Sequence, residues 1–185
     1  MPEAQGVTSL EWKPNFAEAK RRWLAFWEHE VLDRPVCAIR APRDGKTRVA
    51  GPPYMSGARE EFGPIIERVI ASAESLYWGG DAIPSYTPSF GPDQVSAWLG
   101  GELVFPPRNT GTNWVMANID DWETALPFRL DPDNHWWKRM LAFLDALSEA
   151  CAGKLLITHL DLHSNADTLL ALRGGERLCM DMLDI

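Results

Sequence analysis

The chain has 185 residues, 45% of them hydrophobic and 24% charged, which excludes a disordered or fibrous polymer and suits one domain or part of a larger one. The net charge is −8 with no basic stripe, which argues against nucleic acid as a partner, because phosphate binding needs clustered Lys and Arg. No apolar run approaches the roughly 20 residues a membrane span needs, and Met1 to Leu10 lacks the basic flank and apolar run of a signal peptide. Cys37, Cys151 and Cys179 are far apart and show no CxxC spacing. A disulfide framework or cysteine zinc site is therefore not expected, and a reducing, cytoplasmic compartment is. Nine Trp favour thick cores and flat-ligand pockets alike.

In chain order, Asn15 reads as an N-cap, and Phe16, Ala19, Trp23, Phe26, Trp27 and Val31 recur at helical spacing. Asp33-Arg34-Pro35 should break that helix near Leu32. The basic run Lys20-Arg21-Arg22 is read as its solvated face. Val36 to Ala41 predicts a short buried strand, followed by a Pro- and Gly-rich loop to Gly57. Pro64 opens a helix with an apolar stripe from Ile65 to Leu76, stopped by Gly79-Gly80. Asp81 to Tyr86 is a second predicted strand, and a short helix runs from about Asp93 to Leu99. Leu103 to Phe105 and Asn113 to Ala117 are read as short extra strands. Asp131-Pro132-Asp133 starts a strong helix that ends near Gly153. Lys154 to Leu160 is a third strand, apolar enough for burial on both faces. A helix from Ala166 to Leu172 follows Asn165, and another starts after Gly174-Gly175.

Alternating strand and helix argues for parallel strands with helices outside, either doubly wound or closed into a barrel. No Gly-rich fingerprint follows the first strand, which weakens a dinucleotide-binding reading. A barrel typically needs about 250 residues. The expected fold is therefore α/β, the N-terminal portion of a (β/α)8 TIM-type barrel, incomplete at Ile185. Residues 1–33 would be an N-terminal helical segment and 34–185 the first βα units.

The helix around Phe16 to Glu30, then Asp33-Arg34-Pro35-Val36, Trp122, Asp131-Pro132, Trp136-Trp137, Asp161-Leu162-His163 and Leu172-Arg173-Gly174 together resemble the uroporphyrinogen decarboxylase superfamily, and more narrowly its divergent decarboxylase-like members. The resemblance rests on order and spacing over most of the chain. It implies a (β/α)8 barrel that acts as a lyase on tetrapyrroles without a cofactor, or as a methyltransferase working with corrinoids and thiols. For the second chemistry it implies zinc, or a corrinoid carried by a partner protein. It implies that Arg40 stands where the first of two carboxylate-gripping arginines would be, with Arg43 one residue closer than the family spacing. Guanidinium groups suit that task because they bind carboxylates bidentately and stay charged. By the same alignment Pro88 replaces a catalytic Asp. Proline cannot act as an electrostatic partner or proton donor, so methyl transfer is favoured over decarboxylation. Asp81 starts its predicted strand and is a poor replacement; Asp93 is nearer.

In a parallel barrel the reactive groups lie at the carboxyl ends of strands. That places Tyr86 in a substrate-binding loop and selects His159, Asp161 and His163. Residues two apart share a face if the strand stays extended through Leu162. Two His and a carboxylate can hold a divalent metal, serve as an acid/base pair or make polar substrate contacts. Asn165 would add a hydrogen bond. His29 and His135 are read as surface or packing residues. Trp114 and Trp122 can stack on a macrocycle or pack in a core. Two rivals remain open: a truncated, non-catalytic half barrel that binds a small molecule, and a metal-dependent hydrolase using His159, Asp161 and His163. A half barrel exposes sheet edges and an apolar inner face, so self-association is expected.

Overall fold

The computed structural model describes residues 7–105, 111–163 and 165–183. The expectations placed on Met1 to Gly6 and on the end at Ile185 lie outside the described residues. In chain order the elements are α1 (Phe16–Trp27), β1 (Ala38–Pro42), α2 (Ser56–Arg59), α3 (Phe62–Glu74), β2 (Leu76–Gly80), β3 (Ser85–Tyr86) and α4 (Gln94–Trp98). There follow β4 (Glu102–Val104), β5 (Trp114–Met116), α5 (Trp122–Ala125), α6 (His135–Ala150), β6 (Leu156–Ile157), α7 (Ala166–Arg173) and α8 (Gly175–Asp181). The chain divides into two compact units. Among the described residues no helix is long and apolar enough to cross a membrane.

The first unit comprises Met1–Pro52, Glu61–Thr87 and Ala146–Thr158. α1 buries Phe16, Ala19 and Ala25. It stops a turn before the Leu32 that its apolar spacing predicts. His29 takes a left-handed φ of 62°, its N–H bonds to Phe26 O and the Glu30 N–H bonds to Ala25 O. This is a Schellman closure, with His where Gly is usual. α3 buries Ile65, Ile66, Val69 and Ala73 and hands over to β2 through Ser75 alone. The Trp78 indole N–H donates to Ala73 O at 2.9 Å, which satisfies one of the carbonyls that a helix end leaves free.

Two expectations are corrected here. Gly79-Gly80 does not stop the second helix; it ends β2, which pairs antiparallel with β1 in the register Arg40↔Trp78. Tyr77 points to solvent and Trp78 inward, the alternation of a strand, and two adjacent aromatics favour that state. The third strand is only Leu156–Ile157 rather than Lys154 to Leu160. β6 pairs in parallel with β3 (Ser85↔Leu156, Tyr86↔Ile157), and the Thr158 N–H still reaches Tyr86 O. Pro88 then offers no N–H, so the ladder cannot continue.

The second unit comprises Pro53–Glu60, Pro88–Asp145 and His159–Ile185. β4 and β5 form an antiparallel pair in the positions where short extra strands were expected. Ala97, Leu103, Val115, Ile119, Ala171 and Leu172 make one buried cluster. α7 ends at Gly174, φ 85°, and the last-turn carbonyl of Leu172 accepts from the Asn118 and Ile119 N–H groups. The alternation of strand and helix led to an expectation of parallel strands; among the described residues β3–β6 pairs parallel, while β1–β2 and β4–β5 pair antiparallel.

Candidate functional site

Ligands of parallel α/β sheets sit beyond the carboxyl ends of the strands. In the first unit that rule selects the ends of β3 and β6. The Thr87 and Thr158 hydroxyls meet there at 2.7 Å. Thr158 also donates to Tyr86 O at 3.3 Å, so Thr87 donates to Thr158 and keeps its lone pairs to accept from a ligand. Tyr86 is half-buried. Burial, with a smaller contribution from Cys151, pushes its phenol up to about 12. The group is therefore a neutral hydrogen-bond donor near pH 7, not a phenolate.

Arg40 and Arg43 belong to the same unit and both are exposed. The Arg40 guanidinium lies over the Trp78 ring, 5.1 Å from its centroid, a cation–π contact that orients it without consuming its donors. The Arg43 backbone N–H donates to Ser75 O, and its guanidinium reaches Glu74 O at 3.4 Å. Each arginine is thus held by its own neighbour. Pro88, at the position of the expected acid, is buried.

His159, Asp161, His163 and Asn165 are in the second unit and all are exposed. Because β6 ends at Ile157, the strand alternation that would align the first three does not reach them. The structure brings two of them together: Asp161 Oδ2 and His163 Nε2 are 3.3 Å apart. His159 does not join them, and among the described residues no group of three His, Cys, Asp or Glu is arranged to hold a metal. The donor set present does not fit zinc. Asn165 has φ 59° and ψ −123°, a conformation that costs a non-glycine residue of order 1–3 kcal/mol.

One brace of this loop is absent from the sequence reading. Gln94, only 1% exposed, accepts from the Phe90 N–H at 2.9 Å and donates to Asp161 O at 2.6 Å. The Thr168 hydroxyl donates to His163 O at 2.8 Å. The backbone carbonyls of both members of the Asp161–His163 pair are therefore fixed, which limits how far the pair can drift.

Comparison of the chain with protein-family models, with curated proteins and with solved structures returned no match.

Sequence reasoning also set aside Asp81, the most elaborately bound side chain of the first unit. Its carboxylate is fully buried. Oδ2 accepts from Arg34 Nη1 at 2.5 Å and from the Cys37 N–H at 2.9 Å, and Oδ1 from Arg34 Nη2 at 3.0 Å and Arg22 Nη1 at 3.2 Å. Arg22 is clasped from its other side by Asp33, with two bonds of 2.8 Å. Lys13, 1% exposed, donates to Trp78 O and Gly80 O. Burial raises the Asp81 carboxyl, but the hydrogen bonds from Arg34, Cys37 and Arg22 outweigh it and hold the group below its ordinary value. Burial lowers the Lys13 ammonium, and the Asp81 charge offsets part of that. With both oxygens doubly occupied, Asp81 has no capacity left for a ligand. Its role is to tie α1, the Asp33–Cys37 segment and the end of β2 together. A charged residue in the apolar run Gly80-Asp81-Ala82-Ile83 is the signal that could have found it, since a buried carboxylate must be paired.

Proposed function

We propose that the chain is part of a uroporphyrinogen decarboxylase-like (β/α)8 barrel enzyme of the cytoplasm. Its ligand is a carboxylated, tetrapyrrole-like small molecule. The observation that carries this reading is the carboxyl end of the parallel β3–β6 pair, where the Thr87 and Thr158 hydroxyls meet beside Tyr86. Arg40 is the carboxylate-binding residue of this reading and Arg43 its weaker companion. The second unit carries its own candidate acid/base pair, Asp161–His163, with His159 and Asn165 as further polar groups of that unit. Pro88 supplies no charge where the decarboxylases use an acid, so methyl transfer is favoured over loss of carbon dioxide. A corrinoid, carried by a partner protein, would be the methyl source. Zinc finds no ligand set among the described residues, and no step is assigned to it.

The test is an equilibrium titration with uroporphyrin, read by quenching of tryptophan emission. Saturable, salt-sensitive binding is expected, weakened about tenfold by Arg40→Ala, the equivalent of one charge-assisted hydrogen bond. Absence of saturable binding would remove the reading. Binding indifferent to both salt and Arg40→Ala would remove the carboxylate role of Arg40. Incubated with uroporphyrinogen, the protein should release no carbon dioxide.

A further inference from the structure

α1 carries an apolar stripe that its own unit leaves uncovered. Trp27 is 73% exposed and Leu24 54%. Beside them runs a groove of about 340 Å³ bordered by Val7, Lys20, Leu24, Trp27, Ile83 and Leu156. The Phe26 ring meets Trp27 edge-on, 5.3 Å between centroids, and continues the surface toward Val31 and Leu32, which are exposed as well. Exposed apolar side chains gathered on one face in this way mark an interaction surface.

The charges on the stripe select the occupant. Lys20, Leu24 and Glu28 follow one another at four-residue spacing, so they lie along one face, and all three are exposed. Among the described residues neither Lys20 nor Glu28 has an ion-pair partner. Lys20 is one turn before Leu24 and Glu28 one turn after it. A second copy of the helix, laid antiparallel across Leu24, therefore sets each Lys20 against the other copy's Glu28. It also carries each Trp27 toward the other copy's groove. The stripe is self-complementary, as a two-fold interface must be.

We propose that α1 is the interface of a homodimer, with the two helices antiparallel about a two-fold axis near Leu24 and Lys20 of each copy paired with Glu28 of the other. The proposal does not depend on the function proposed above. Sedimentation velocity of the full chain at micromolar concentration tests it. A dimer is expected. Leu24→Glu should convert it to monomer, because the two-fold sets the introduced carboxylates against each other, and Trp27→Ser should weaken it. Both positions are exposed, so circular dichroism should show the fold retained. Lys20→Glu or Glu28→Lys alone should weaken association about tenfold, and the double variant K20E/E28K should restore it. A monomeric parent chain overturns the proposal, and that includes a monomer in which another segment of the chain fills the groove. So does a dimer indifferent to Leu24→Glu, or one that the double variant fails to restore.

Discussion

Asp81 and Asp33 respond to substitution and to acid in ways that can be worked out from their partners. Asp81→Ala leaves Arg34 and Arg22 without their buried counter-charge, and urea unfolding should show a loss of about 3 kcal/mol. The Asp81 carboxyl lies below its ordinary value. Asp33, through its hydrogen bonds from Arg22, is held down to about 2. A folded value below the unfolded one means that the stabilisation is complete above about pH 4 and is lost as pH falls through the folded value. Acid unfolding should therefore be flat above about pH 5 and fall between about pH 4 and pH 2, and Asp33→Asn should flatten that descent. Tyr86 offers an independent check. A phenolate absorbance titration should contain a late step near pH 12 that is missing in Tyr86→Phe. At this scale the sequence named Arg40, Tyr86, Asp161 and His163 from their places after strands, but it missed Asp81, Lys13 and Gln94. Their importance comes from burial among partners far away in the chain, which spacing does not reveal.

At the scale of elements, the tightest constraint is the end of β2. Gly80 has φ 57°, and a Cβ there would lie 2.2 Å from Cys37 O. That atom is backbone and cannot swing aside. Gly80→Ala should cost more than about 2 kcal/mol, combining left-handed strain with a steric clash. Gly45 has φ 73° and open space around its Cβ position, so Gly45→Ala should cost only the strain, about 1 kcal/mol. Denaturant midpoints of the two variants make the comparison. The long periodic helices α1, α3 and α6 were legible because their apolar stripes repeat over several turns. The short strands were legible as apolar runs but not in extent or pairing. β2 was read as a helix stop because two glycines outweighed the adjacent aromatics, and β6 was read too long because Pro88, which ends its ladder, belongs to the partner strand's connection.

For the molecule as a whole, composition spoke most plainly against a membrane-spanning helix, through the lack of any long apolar run, and among the described residues no helix is long and apolar enough to cross a membrane. Neither composition nor periodicity fixes which strands pair, because pairing is decided by contacts between segments that no local pattern records. The barrel and its chemistry accordingly belong to the proposal, whose central claim is that the carboxyl ends of β3 and β6 receive a carboxylated tetrapyrrole-like ligand. Hydrogen exchange of the chain with and without uroporphyrin tests that claim most directly. The account predicts slowed exchange concentrated in the segments Ser85 to Thr87 and Leu156 to Thr158. Slowed exchange confined to α1, or no change anywhere at saturating ligand, would contradict it.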